Sequence, residues 1–255
     1  MMTSPMRVIF LCFIAALAGK TLAADAPTLL ATPGKLVLED DFSRSEMAPK
    51  WKVGKGFFAV KDGVVTAAEN PADNHPAFAK ATFPFKDIVA DFSFELDGAK
   101  TLNFTMDDKA YKGSHAGHIC SVSFTPTMVH PSDAKFGSMK NEVHEKMTDP
   151  KTTAQEKKEI QESIKDKSAS YKVKIEAGTW HQAHVEIAGD EMLVELDGKP
   201  VAYLKSEGID HPTKNMLGFT VAGKSALIKD VKVWDATPSP EWSSRRPEVL
   251  AAIKP

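Results

Sequence analysis

Cysteine is scarce in this chain of 255 residues: there are two, Cys12 and Cys120. Cys12 falls inside an N-terminal apolar run, so a processed chain would keep Cys120 alone and could form no internal disulfide. The fold must then be held by its core. An excess of charge of one sign is also lacking. The 32 Lys and Arg nearly balance 34 Asp and Glu, for a net charge of −2, which removes the electrostatic case for a nucleic-acid partner. Long apolar runs are missing too. The stretch 8–19 is shorter than the roughly 20 residues a membrane-spanning helix needs, and no later stretch approaches that length.

What is present at the N-terminus fits an export signal. Met1 to Met6 lead to Arg7, the apolar run follows, and Lys20 to Ala23 place small Thr21 and Ala23 where a signal peptidase reads. An uncleaved anchor is the rival reading. Phe10 and Leu11 before Cys12 do not make the small-residue pattern of a lipoprotein signal. Cleavage after Ala23 predicts a secreted or periplasmic protein with no stable membrane insertion. The expected organisation is a signal at 1–23, a linker at 24–35, one domain at 36–236 and a tail at 237–255 in which Trp242 pins a short helix-like end to the body.

Period-2 alternation, the mark of half-buried strands, recurs at 91–96, 101–107, 119–125, 183–187, 192–196, 217–221 and 228–234. Asp62-Gly63 and Asp197-Gly198 stand between such runs, where a tight hairpin needs positive φ. About twelve short strands without βαβ alternation predict an all-β sandwich of the jelly-roll kind. One segment departs. Residues 138–168 have helical spacing, broken at Asp149-Pro150, with Thr153 and Glu156 spaced as a capping box. This predicts a helical hairpin inserted at the sandwich rim, either a solvated excursion or a lid.

Several strings together resemble a known family. They are Leu38-Glu39-Asp40-Asp41-Phe42-Ser43-Arg44, Trp51, Val60-Lys61-Asp62-Gly63-Val64-Val65, Thr179-Trp180-His181, Leu196-Asp197-Gly198-Lys199 and Ile228-Lys229-Asp230-Val231-Lys232-Val233-Trp234. Their order is similar to that of exported concanavalin A-like domains of the 3-keto-disaccharide hydrolase or family-16-like glycoside hydrolase kind, found in planctomycete-type bacteria. The resemblance spans about Leu36 to Ala236 and implies a jelly-roll fold with an oligo- or polysaccharide as partner. There are departures. The Glu-x-Asp-x-x-Glu string of family-16 glycoside hydrolases does not occur, because Glu95-Leu96-Asp97 and Glu195-Leu196-Asp197 run straight into glycine.

Candidate chemistry lies on the polar strand faces. If the strands at 91–96, 101–107 and 119–125 were neighbours, Glu95 and Asp107 would face each other at a separation suited to inverting glycosidic cleavage, about 6.5–9.5 Å. His118, with His115 nearby, would serve as general acid or base. Asn103, Ser121, His115 and His184 would bind, although an exposed sheet face is polar whatever its role. Metal ligation by the two histidines is the alternative use of that cluster, and a polar loop with two solvated histidines, for which Gly113 and Gly117 argue, is the reading without a function. Calcium is considered as a structural ion, for which Asp40, Asp41 and Asp230 would supply oxygens. Cys120 reads as a buried apolar residue. The functional expectation is an exported carbohydrate-recognising sandwich with a glycoside hydrolase activity of the 3-keto-disaccharide hydrolase type in view; the alternative is a non-catalytic binding or interaction module of the cell envelope.

Overall fold

The computed structural model describes residues 29–253; the signal segment and its cleavage point lie outside the described residues. The chain forms two antiparallel sheets packed face to face, a jelly-roll β-sandwich. In chain order the elements are β1 (Ala31–Asp40), β2 (Lys52–Lys55), β3 (Phe57–Lys61), β4 (Val64–Ala68), β5 (Ala77–Phe85), β6 (Ile88–Glu95), β7 (Ala99–Asp107), β8 (His118–Thr125) and β9 (Met128–Asp133). Then come α1 (Asn141–Thr148), α2 (Ala154–Ser163), β10 (Tyr171–Lys172), β11 (His181–Ala188), β12 (Glu191–Leu196), β13 (Lys199–Lys205), β14 (Lys214–Gly223), β15 (Ser225–Pro238) and α3 (Trp242–Ala252). The first sheet runs β13-β12-β11-β6-β15-β4-β3, with β1 also on β15; the second runs β10-β9-β8-β7-β14-β5-β2. No helix among the described residues is long and apolar enough to cross a membrane.

The alternation seen in the sequence sets which residues meet between the sheets. Phe92 and Phe94 of β6 point inward against Phe104, Phe124 and Phe219 of the second sheet, with ring centroids 4.9–6.0 Å apart. All five rings are buried, each worth about 1.5–3 kcal/mol in removed apolar surface. Both Asp-Gly hairpins have two successive positive φ angles: 51° and 79° at Asp62-Gly63, 52° and 73° at Asp197-Gly198. That is the turn whose twist matches paired strands.

The structure corrects the sequence reading in three places. Consecutive β6 and β7 do not pair; the short link through Leu96 and Gly98 carries the chain from one sheet to the other, so β6 borders β11 and β15 while β7 borders β8 and β14. Strand β1 begins at Ala31, inside the expected linker, and its pairing with β15 extends to Pro238. There are fifteen strands among the described residues. Strand β5 illustrates why some were hard to read: small Ala77, Ala79 and Ala81 are buried together with Phe85 at its end, while bulky Phe78 and Phe83 stay half-buried. The helical insertion forms as expected, with Thr153 and Glu156 closing a complete capping box on α2.

Candidate functional site

Outward residues of the second sheet form the floor of a groove of about 580 Å³. Asn103 and Thr105 come from β7, Ser121 and Ser123 from β8, and Phe78 and Lys80 from β5. The loop before β8 and the insertion form its walls. Its chemistry centres on Asp107, the last residue of β7, which has no exposed surface. Its Oδ1 lies 2.6 Å from His118 Nδ1 and its Oδ2 accepts from Lys80 Nζ.

Local sequence explains how these three meet. A register shift between Met106 and Asp107 places Asp107 opposite His118 rather than Ile119, so a β-bulge aims the imidazole at the carboxylate. Lys80 starts two strands away and must cross β14 to reach β7. It crosses at Gly218, its register partner on β14. A Cβ at Gly218 would stand 2.8 Å from Lys80 Cγ and 2.5 Å from the Ala79 carbonyl oxygen, so a bare backbone is what lets the lysine lie flat there.

The insertion contributes directly. His144 of α1 stacks on His115, with centroids 4.0 Å apart and planes within 10°. The His115 N–H donates to the Met139 carbonyl at 2.7 Å, and Asn141 Nδ2 donates to the Lys112 carbonyl at 2.6 Å. These bonds fix α1 to the loop and make the insertion a wall. Burial lowers the pKa of His115, and the neighbouring imidazoles of His144, His118 and His75 lower it further. Five of the chain's eight histidines line this groove: His75, His115, His118, His130 and His144. On the floor, Ser123 Oγ donates to Asn103 Oδ1 at 2.6 Å.

Of the residues expected to act, Asp107, His118, Asn103, His115 and Ser121 are brought together. Glu95 and His184 are not. Glu95 belongs to β6 in the opposite sheet, so no Glu95–Asp107 pair exists. His184 points from β11 onto the outer face of the first sheet and is 2% exposed. Its Nδ1 is 2.6 Å from Asp91 Oδ1 and its Nε2 is 3.3 Å from Glu186 Oε1. Burial alone would lower its pKa, but the hydrogen bonds and charges of Asp91 and Glu186 outweigh burial and push it up to about 10. Glu186 in turn accepts from the backbone N–H groups of Leu29 and Ala31 at 2.8 and 2.6 Å. That cluster holds the N-terminal segment down.

Two of the three expected calcium ligands, Asp40 and Asp41, are otherwise engaged. Both Asp40 oxygens are taken by Arg44, which grips them at 2.5 and 2.8 Å, by Trp51 Nε1 at 2.7 Å and by the Phe42 N–H at 3.0 Å. Burial would raise the Asp40 pKa, yet these donors hold it below the ordinary carboxylate value. Asp41 Oδ1 accepts from the Ser43 N–H, and Asp230 sits at a positive φ within a register shift of β15. Among the described residues no group of three or more His, Cys, Asp or Glu is arranged to hold a metal ion. Cys120 is buried and its thiol is pushed up to about 12 by desolvation, too protonated to act as a nucleophile.

Sequence reasoning did not single out Lys80, His75, His130 or His144. The signal for Lys80 was legible: alternating Ala77, Ala79 and Ala81 put residue 80 on the outer face. His144 carried no such mark, since its role depends on where α1 docks.

No protein-family model matches the chain, and no curated protein does. Solved structures do. The carbohydrate-binding module CBM66 from Bacillus subtilis is similar at a TM-score of 0.50 and 12% identity, covering 73% of this chain and 96% of that one. An endo-beta-1,3-glucanase from Pyrococcus furiosus gives 0.51 and 11%, covering 80% and 95%. A laminarinase from Flavobacterium sp. UMI-01 gives 0.51 and 12%, covering 79% and 100%. At such identities the likeness is one of fold.

Proposed function

We propose that this chain recognises an oligo- or polysaccharide in the groove over the second sheet, outside the cytoplasm. The observation that carries the reading is the groove itself: one open face bearing neutral hydrogen-bonding groups, imidazole faces and the Asp107–His118–Lys80 arrangement, while the opposite outer face is covered over β6, β11 and β12. The fold neighbours include a carbohydrate-binding module and glucanases, which supports the reading, and the signal-like segment 1–23 supports export. Cleavage by a carboxylate pair is not part of it. That chemistry needs two carboxyl groups about 5 Å or 6.5–9.5 Å apart, whereas the carboxylate at this groove is Asp107, fully covered.

The finer reading, an activity of the 3-keto-disaccharide hydrolase type, draws its support from His118. With Nδ1 donating to Asp107, Nε2 is left as a base, and the carboxylate fixes the tautomer. A ketone at C3 acidifies the C2 hydrogen. A single oriented base can take that proton, the electron pair forms the enolate, and collapse of the enolate expels the C1 group with its bonding electrons as an alkoxide that takes a proton from water. Water then adds at C1 of the resulting enone, and the proton held by the base returns to C2. No second carboxylate is required. Isothermal titration against an oligosaccharide panel tests recognition; failure of every glycan to bind would return the chain to the interaction-module reading. Turnover of a 3-keto-disaccharide, abolished in His118→Asn with binding retained, would establish the finer reading, and full turnover in that variant would remove His118 as base.

A further inference from the structure

We infer that the saccharide bound in this groove is acidic, carrying a carboxylate or a sulfate; the inference rests on the carbohydrate reading of the groove. The chain holds 34 acidic residues and a net charge of −2, yet no Asp or Glu stands on the groove lining. Every lining side chain that can carry charge is Lys80, a histidine or the buried Cys120. Lys80 is the standing cation of that lining, an imidazole adding positive charge only when protonated, and a cleft whose exposed charge has one sign concentrates ligands of the other.

The hydrogen-bonding groups point the same way. An ammonium has three donors, and the partner of Lys80 Nζ is Asp107, which leaves two N–H groups for a ligand. The Asp107 charge is spent beneath the floor on Lys80 and His118, with no surface of its own to offer a hydroxyl. Because Ser123 donates to Asn103 Oδ1, the remaining amide group of Asn103 is a pair of donors. The floor is thus rich in donors and poor in strong acceptors. Sugar hydroxyls must also donate, whereas a carboxylate or sulfate only accepts, and its bonds to a cation are about twice as strong as neutral ones.

The test titrates the full chain with three oligosaccharides of matched length: a neutral β-linked glucan, an oligouronate and a sulfated galactan. The expected result is that one acidic oligosaccharide binds about tenfold or more tighter than the glucan; which one does so separates carboxylate from sulfate. That advantage should fall below about threefold in Lys80→Met and in salt on the order of 0.5 M, where screening shortens the reach of charge. Should Lys80→Met not fold, Asn103→Leu replaces it and should weaken the acidic ligand more than the glucan. A glucan that binds as tightly as both acidic ligands overturns the acidic preference and leaves carbohydrate recognition standing. No binding of any of the three overturns both. An acidic preference unchanged by the variants and by salt places the anion elsewhere and overturns this assignment.

Discussion

The two outer faces of this sandwich start from the same alternating pattern and end in opposite conditions. On the first sheet, Asp91, His184, Glu186 and Glu195 are all buried, roofed by the N-terminal segment and α3. Leu29, Leu30, Ala31, Val89, Leu193, Trp242 and Ile253 form a second apolar cluster there. On the second sheet, Asn103, Ser121, Ser123 and Lys80 stay at an open groove. The covered face uses its charges to fasten a strap of backbone, and the open face keeps Asp107 beneath its floor while Lys80 and His118 line the groove above it. A polar strand face therefore says nothing about function until it is known what lies over it.

Breaking the covered face should have the largest effect. Glu186→Ala removes the acceptor of two backbone N–H groups and one partner of His184, and it should destabilise the fold by on the order of 3–5 kcal/mol in a denaturant titration. Saccharide affinity of the folded fraction should be unchanged. A loss under 1 kcal/mol, on the order of a surface substitution, would show that the strap does not depend on this carboxylate. The same cluster sets a pH dependence. His184 has a folded pKa near 10 against an ordinary 6.5, so its protonated form stabilises fully below the lower value and the contribution is lost as pH rises through the higher. The melting temperature should decline between pH 6.5 and 10, and His184→Gln should flatten that decline. Equal slopes in the two proteins would contradict the assignment.

Changes on the open face should cost less stability and more binding. Gly218→Ala places a Cβ against Lys80 and the Ala79 carbonyl, for an overpacking cost of about 1–3 kcal/mol, and it should weaken saccharide binding by moving the lysine. Retention of full affinity would mean that Lys80 does not contact the ligand. His144→Ala on α1 is the mildest change. It removes one ring of the stack at a cost within about 1 kcal/mol and should weaken saccharide binding while leaving the melting temperature nearly unmoved. A large drop in melting temperature would recast the stack as structural support.

What could be read from the sequence followed from local rules. Period-2 alternation and two Asp-Gly turns are sufficient for an all-β chain, and Thr153 with Glu156 marks the start of α2 because both partners of the capping box lie within one turn. Asp107 and Asn103 were found because each stands on the polar side of its own strand. His118 was found by its nearness to His115 and Asp107, since it shares the parity of inward-facing Cys120 and only the register shift at Asp107 brings it to the site. Sheet membership was not local. Glu95 and Asp107 have equally good alternation, and the three residues between β6 and β7 decide that they lie on opposite sides of the molecule. His184 looked like Ser121, since burial by a distant segment leaves no trace in the strand being buried. Lys80 reached the site through the missing side chain of Gly218, more than a hundred positions away.

Leu29 and Ile253 share one apolar cluster on the face opposite the groove. A tether joined at Leu29 or Ile253 would leave from that face. A bead, a membrane mimic or a sensor chip attached there would sit behind the sandwich and leave the His118 side free for incoming glycans, so immobilised protein should keep the affinity it has in solution.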